Sequence, residues 1–353
     1  MDAGYGQALY FPYIHFADED WLKTAALYYD SISRIVPYGY DPRDSEFVTK
    51  LRTEGQFIRD LHPLDEKLFI QDDFLLFAEE CLADKSRRDE LLSSLGSPLK
   101  PTVAVVHDNK FEVGVLYRLS ELGLAQGPVD PNEEWHTMDP LTGAMYMTLL
   151  ANRMAEVRGL PLVTDDPPFQ LLVRRFQRGR RKGGGDFALG SLVIKAFMPA
   201  DFGGLTADQI ISFRNRSELQ RIRFYEAIRE VSRKIRFLPD PRAYEDQMRR
   251  QEALIRDAVA DLELCFLNSS IAYVTALIGV SLPAWALDAS TLSHSAVVGV
   301  TVGSALVAGI SIQKALEWHR TRKNSPWSYV LSLRNDLQPD AFLRSLLRGE
   351  TLL

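Results

Sequence analysis

Cysteine is nearly absent from this chain. Its 353 residues hold two, Cys81 and Cys265, far apart and without metal-ligand spacing. That excludes a disulfide framework and a cysteine-based zinc module, and it suits a reducing cytosol in which buried thiols act as small hydrophobes. Histidine is also sparse: six residues, scattered, none paired at metal spacing. No G-x-S-x-G elbow, H-E-x-x-H helix or C-x-x-C pair occurs, which removes the better-marked hydrolase and zinc classes. Gly183, Gly184 and Gly185 lack the lysine and hydroxyl that follow the glycines of a nucleotide phosphate loop. Charge of one sign is not in large surplus. The formal net charge of −6 gives no global attraction to nucleic acid, so any such contact needs a local patch. The first residues, MDAGYGQALYFPYIHF, carry neither a basic segment nor a long apolar run, and no signal peptide is expected.

What is present belongs to a globular protein. Hydrophobic residues make up 46% and charged residues 25%, and the length suits one large domain or two ordinary ones. Residues 8–14 (ALYFPYI) read as a first strand, with Pro12 marking a strand end or bulge. Asp18, Glu19 and Asp20 open a helix to about Tyr29, placed well for the helix dipole. Residues 31–37 (SISRIVP) read as a second strand, and strand–helix–strand spacing implies a crossover with parallel pairing. Residues 43–96 read as helical in several pieces, and 102–107 (TVAVVH) as a third strand. A helix at 111–122 ends at Gly123, a Pro- and acid-rich loop covers 126–134, and a helix at 140–157 leads into a strand at 160–163.

The second half changes character. Residues 191–198 (SLVIKAFM) give one more strand signal, after which such signals disappear. Thr206 and Gln209 fit a capping box. Ile210, Phe213, Phe224, Ile228, Val231 and Ile235 then trace a long amphipathic helix, interrupted at Ser217 where the period asks for an apolar residue. A second long helix is expected over about 242–266. Residues 265–287 and 289–313 contain no Asp, Glu, Lys or Arg, and Asp288 alone separates them. Each is long enough to span a bilayer. Their Ser, Thr and Gly content, Pro283 and the short polar connector favour a helical hairpin packed in a soluble core, with a membrane-acting effector as the alternative. The expected architecture is therefore an α/β front over 1–200 with a mostly parallel sheet. An all-helical part over 204–353 follows, containing an apolar helical hairpin.

The sharpest chemical hint lies within 141–182. Thr164-Asp165-Asp166 follows an apolar strand, then comes a Pro-Pro turn and a basic stretch: Arg174, Arg175, Arg178, Arg180, Arg181 and Lys182. Carboxylates gathered at strand ends can hold Mg²⁺ or Mn²⁺ for phosphodiester chemistry, and neighbouring cations can hold a phosphate backbone. In that reading Asp165 and Asp166 are catalytic metal ligands, Asp18 or Asp20 supplies a third, and the basic run binds nucleic acid. The plainer reading is a turn at Asp166-Pro167-Pro168, with the basic run as a solvated helix end. His107 and Asp108 follow the third strand near the same expected sheet edge, where a lone histidine is read as structural.

The segments ALYFPYI…DEDWLKTAALYYDSISRIVP, YMTLLA, VTDD and IISFRNRSELQRIRFYEAI resemble a bacterial family of uncharacterised domains over most of the chain. The resemblance implies a cytoplasmic bacterial protein with an α/β front and a helical back, of a kind often encoded near mobile or phage-defence genes. A more distant likeness, over Gly159 to Phe169, is to PIN-type nucleases. It implies a metal-dependent ribonuclease. The chain departs from that pattern where its first strand ends in Pro12-Tyr13-Ile14-His15-Phe16 rather than in a metal-binding aspartate. Three functions follow as expectations: a non-catalytic interaction or regulatory protein with a protein partner or a second copy, needing no cofactor; an RNA-cleaving enzyme using Mg²⁺ or Mn²⁺; and the membrane-acting effector.

Overall fold

The structure is a computed structural model. It describes residues 6–94, 104–127, 134–166, 168, 169, 172, 194, 204–235, 246, 247, 249–251, 253–255, 257 and 325–337. Two compact units emerge: residues 1–191 with 201–214, and residues 192–200 with 215–353.

The first unit opens with β1 (Gln7–Tyr10), α1 (Glu19–Tyr28) and β2 (Ser31–Ile35). Asp18 caps α1, its carboxylate accepting from the amides of Asp20 and Trp21, so the acid run starts this helix by direct hydrogen bonding as well as by charge. β1 and β2 pair in parallel, Gln7 opposite Ser31 and Tyr10 opposite Arg34, as the crossover spacing implies. α2 (Glu46–Thr53) follows, capped by Ser45. Then comes a strand where helix was expected, β3 (Ile58–Leu61), parallel to β2. Its four residues, IRDL, are too few to show a period, and its place is decided by pairing with β2. α3 (Glu66–Phe77) runs into a π-helical turn (Ala78–Leu82), and α4 (Lys85–Ser94) completes this stretch.

The next strand departs from expectation. β4 (Ala104–His107) does not join the parallel sheet. It pairs antiparallel with β6 (Trp135–Met138), which also pairs antiparallel with β5 (Ala125–Gln126). Between β4 and β5 lie a 3-10 turn (Asp108–Lys110) and α5 (Val113–Glu121). The first unit thus holds two sheets: a parallel one ordered β3-β2-β1-β7 and an antiparallel one ordered β4-β6-β5.

α6 (Pro140–Arg158) ties them together. Asp139 caps it, Pro140 starts it and Gly159, at φ 67°, ends it in the left-handed conformation that glycine adopts without strain. The helix is buried along most of its length, against α3, β4 and β7. Tyr146 stacks on Phe111 with ring centroids 3.9 Å apart, meets Phe74 edge-on at 4.9 Å, and donates to the Lys110 carbonyl at 2.7 Å. Gly143 sits where α6 crosses β4 and β6. A Cβ there would lie 2.5 Å from that of Ala104 and 3.4 Å from Met138 Cγ, so the close crossing requires glycine. β7 (Leu162–Val163) then enters the parallel sheet beside β1, Leu162 opposite Leu9 and Val163 opposite Tyr10.

α7 (Ala207–Arg216) carries the expected capping box. The Gln209 side chain accepts from the Thr206 amide at 2.9 Å and the Thr206 hydroxyl accepts from the Gln209 amide at 3.3 Å. Its buried Arg214 donates to the carbonyls of Ala26, Tyr29 and Asp30, satisfying the C-terminal end of α1. The same guanidinium lies 4.7 Å from the Phe57 ring centroid. The amphipathic stripe breaks where it was expected to weaken: Ser217 lies between α7 and α8 (Glu218–Ile235), and is buried.

In the second unit Phe224 of α8 packs against Trp327 and against Tyr329 of α9 (Ser328–Leu337). No strand occurs among its described residues. Most of the expected strand at 191–198 lies outside the described residues, its one described member, Ile194, being helical; most of the helix at 242–266 and the uncharged runs at 265–313 also lie outside them. Among the described residues no helix is long and apolar enough to cross a membrane.

Candidate functional site

All four strands of the parallel sheet point the same way, so the residues after Tyr10, Arg34, Leu61 and Val163 meet at one edge. In open α/β sheets this carboxyl edge is the usual place for ligands. Here it gathers two groups of charged side chains, and both are engaged internally.

The first group is Asp165 and Asp166, delivered by β7. Asp165 Oδ1 accepts from the Tyr10 hydroxyl at 2.9 Å, while Oδ2 accepts from the amides of Ala17 and Asp18 at 3.0 and 3.1 Å. The carboxylate thus ties the end of β7 to the start of α1. Burial pushes the Asp165 carboxyl pKa above its ordinary value, against the lowering effect of those hydrogen bonds. Asp166 Oδ2 accepts from the Tyr13 hydroxyl at 2.8 Å, and its amide donates to the Thr164 hydroxyl at 3.1 Å. Asp166 Oδ1 is buried and has no hydrogen-bond donor. Burial first, and then the neighbouring carboxylates, push both tyrosine hydroxyls well above the usual phenol range, so each stays a proton donor.

The second group surrounds Arg34 of β2, which is fully buried. Its guanidinium donates to both oxygens of Asp44 at 2.6 and 2.7 Å, to Asp60 of β3 at 2.7 Å, and to the Ile14 carbonyl at 3.0 Å. Burial alone lowers the guanidinium pKa, and the hydrogen bonds to Asp44 and Asp60 reverse that and raise it. Arg52 of α2 reaches Asp60 at 3.3 Å and Asp44 at 3.8 Å, and His15 Nδ1 lies 3.7 Å from Asp44. Two cations and two carboxylates therefore compensate each other where a metal-dependent enzyme keeps acids free for an ion.

Asp18 and Asp20, expected as further ligands, have other tasks. Asp18 caps α1, and Asp20 pairs with the buried Lys23 at 3.3 Å. Among the described residues, no set of three His, Cys, Asp or Glu side chains that includes Asp165 or Asp166 brings its ligand atoms within 4.8 Å of one another. The basic residues Arg174, Arg175, Arg178, Arg180, Arg181 and Lys182 lie outside the described residues. His107 and Asp108 are not at this edge: they end β4, in the other sheet.

Tyr10, Tyr13, Arg34, Asp44 and Asp60 were not singled out in the sequence. One signal existed for Arg34, a cation inside an otherwise uncharged strand (SISRI), which demands a buried counter-ion. No family model, curated protein or solved structure matches the chain.

Proposed function

We propose that the chain is a cytoplasmic, non-catalytic interaction or regulatory protein of a bacterial multi-gene system, built on an α/β unit whose ligand edge has been turned to structural use. One observation carries this reading. Arg34 and the hydroxyls and amides around Asp165 occupy the carboxylates that hydrolytic chemistry would need. The partner is a protein or a second copy of the chain, and apolar side chains exposed on α3 (Leu68, Phe69, Leu76) and α5 (Val113, Tyr117) offer surface of the kind such a partner covers. The resemblance to a bacterial family of uncharacterised domains, of a kind often encoded near mobile or phage-defence genes, is in keeping with this reading.

The test is incubation of the purified chain with structured and unstructured RNA in Mg²⁺ and in Mn²⁺, alongside light scattering for its assembly state. We expect intact RNA and either self-association or capture of a protein encoded nearby. Metal-dependent cleavage that disappears in Asp165→Ala would overturn the reading.

A second reading, a Mg²⁺- or Mn²⁺-dependent ribonuclease, is favoured by one observation. Asp166 Oδ1 is buried beside Asp165 without a donor, as an oxygen reserved for a cation would be. Cleavage lost in both Asp165→Ala and Asp166→Ala would select it.

A further inference from the structure

A metal-ligating group lies away from the parallel edge, on the antiparallel sheet. His107 ends β4, Asp108 follows it, and Glu134 directly precedes β6. Register brings them together: His107 pairs with Trp135, and the Asp108 amide donates to the Glu134 carbonyl at 2.8 Å. One ligand atom from each of the three side chains falls within 4.8 Å of the others. His107 Nε2 lies 2.9 Å from Glu134 Oε2, and Nδ1 lies 3.0 Å from Asp108 Oδ1.

The hydrogen bonding here does not close. The Asn109 amide donates to His107 Nδ1 at 3.2 Å, which takes up that nitrogen's one lone pair and leaves the ring N–H on Nε2, toward Glu134. Asp108 Oδ1, itself buried, has no hydrogen-bond donor although Nδ1 is its neighbour. A buried carboxylate oxygen without a donor therefore lies 3.0 Å from a ring nitrogen that has no proton to offer it, with a second carboxylate at the other ring nitrogen of an imidazole that is 3% exposed. A cation resolves this: it supplies the missing partner of Asp108 Oδ1 and takes the lone pair of a ring nitrogen once the proton on Nε2 or the Asn109 hydrogen bond at Nδ1 is displaced. The rings of Tyr40 and Trp135 flank the imidazole at 6.1 and 4.9 Å and hold it in place. The two carboxylates are partly exposed, which leaves the ion a route in from solvent.

We infer that His107, Asp108 and Glu134 form a binding site for a first-row divalent cation of the Zn²⁺ or Mn²⁺ type. One imidazole and two carboxylates make a mixed nitrogen–oxygen set, which suits these ions and disfavours Ca²⁺ and Mg²⁺, which prefer oxygen ligands alone. Three protein ligands leave at least one position for water or for an outside ligand. The ion joins the end of β4 to the start of β6, so it also fastens the chain between them. This inference is independent of the chemistry at the parallel edge.

The experiment uses the full chain without an affinity tag, stripped with chelator and dialysed. Zn²⁺, Mn²⁺ and Mg²⁺ are each titrated by calorimetry, with thermal unfolding measured in parallel. Stoichiometric binding of Zn²⁺ or Mn²⁺, weaker binding of Mg²⁺ and a rise in melting temperature with added metal are expected. Asp108→Asn and Glu134→Gln alter partly exposed carboxylates and should preserve the fold, as checked by circular dichroism. Each should weaken Zn²⁺ or Mn²⁺ binding by at least ~10-fold, and His107→Gln by more. Absence of binding to the parent chain would overturn the inference. So would binding that Asp108→Asn and Glu134→Gln leave unchanged, since the ion would then sit elsewhere.

Discussion

The two sheets of the first unit treat most of their acids in opposite ways, with Asp166 Oδ1, buried without a donor at the parallel edge, as the exception. At the carboxyl edge of the parallel sheet, Asp44, Asp60 and Asp165 are met by hydroxyl, amide and guanidinium donors. At the end of β4, Asp108 and Glu134 flank a histidine and one buried carboxylate oxygen has no donor at all. A carboxylate surrounded by donors holds a fold together, whereas one short of donors is available for a cation. Neighbouring acids in a sequence therefore say little about chemistry until the donors around them are known.

Removing the buried cation at the parallel edge should break the comparison most strongly. Arg34→Leu leaves Asp44 and Asp60 with only the more distant, partly exposed Arg52 between them, and breaking a buried ion network in this way costs about 3–5 kcal/mol. Urea unfolding should show that loss. A change within ~1 kcal/mol would mean that the network does not bind the strands together.

The packing of α6 on the antiparallel sheet comes next. Gly143→Val places a branched side chain against Ala104 and Met138 and should lose roughly 1–3 kcal/mol by overpacking. Gly143→Ala together with Ala104→Gly should recover part of that loss, since the two Cβ positions compete for one space.

Lys110 sharpens the contrast through pH. Its ammonium is buried, and burial alone pushes its pKa down to about 7 from 10.5. Between those values the unfolded chain binds a proton that the folded chain lacks, so this residue makes stability rise with pH across that window. The slope is at most ~1.4 kcal/mol per pH unit. Below pH 7 its burial penalty is fully present. Lys110→Met should therefore stabilise the metal-free protein most below pH 7, with the advantage fading as pH approaches 10.5. An advantage that does not vary with pH would show that the gain comes from packing alone.

Asp165→Asn should have a smaller effect. The amide keeps an acceptor for one partner but turns an NH₂ toward the Ala17 and Asp18 amides or the Tyr10 hydroxyl. A loss of about 1–3 kcal/mol in chemical unfolding fits one disrupted hydrogen-bond set. Smallest of all, Glu134→Gln in metal-free protein should shift stability by no more than ~0.5 kcal/mol, since that carboxylate is largely exposed. The ratio of these last two effects measures how differently the two sheets use their acids.

Legibility in the sequence followed the range of the interactions. α1 and the start of α7 could be read because Asp18 and the Thr206/Gln209 pair act within a few residues of themselves. The break at Ser217 showed as a missed beat in a regular stripe. The β1–β2 crossover followed from spacing. β3 and β6 were not visible, because IRDL and WHTM are too short to set a period and are strands only beside their partners. The candidate site divided in the same way. That Asp165 and Asp166 end a strand was legible, but their donors were not, since Tyr10 and Tyr13 lie more than 150 positions away in the chain.

The sequence by itself determined the local matters: where helices begin, which faces are apolar, that the front alternates strand and helix, and that Asp165 and Asp166 follow β7. These depend on caps and periods that operate over one or two turns. Only the tertiary structure decided that β4 leaves the parallel sheet for an antiparallel one, and that Arg34 is shared between Asp44 and Asp60. The convergence of His107 with Glu134 across a strand pair was decided there too. Each of these rests on strand register and on burial of charge. Both are set by residues distant in the chain, through pairings that no short stretch of sequence contains.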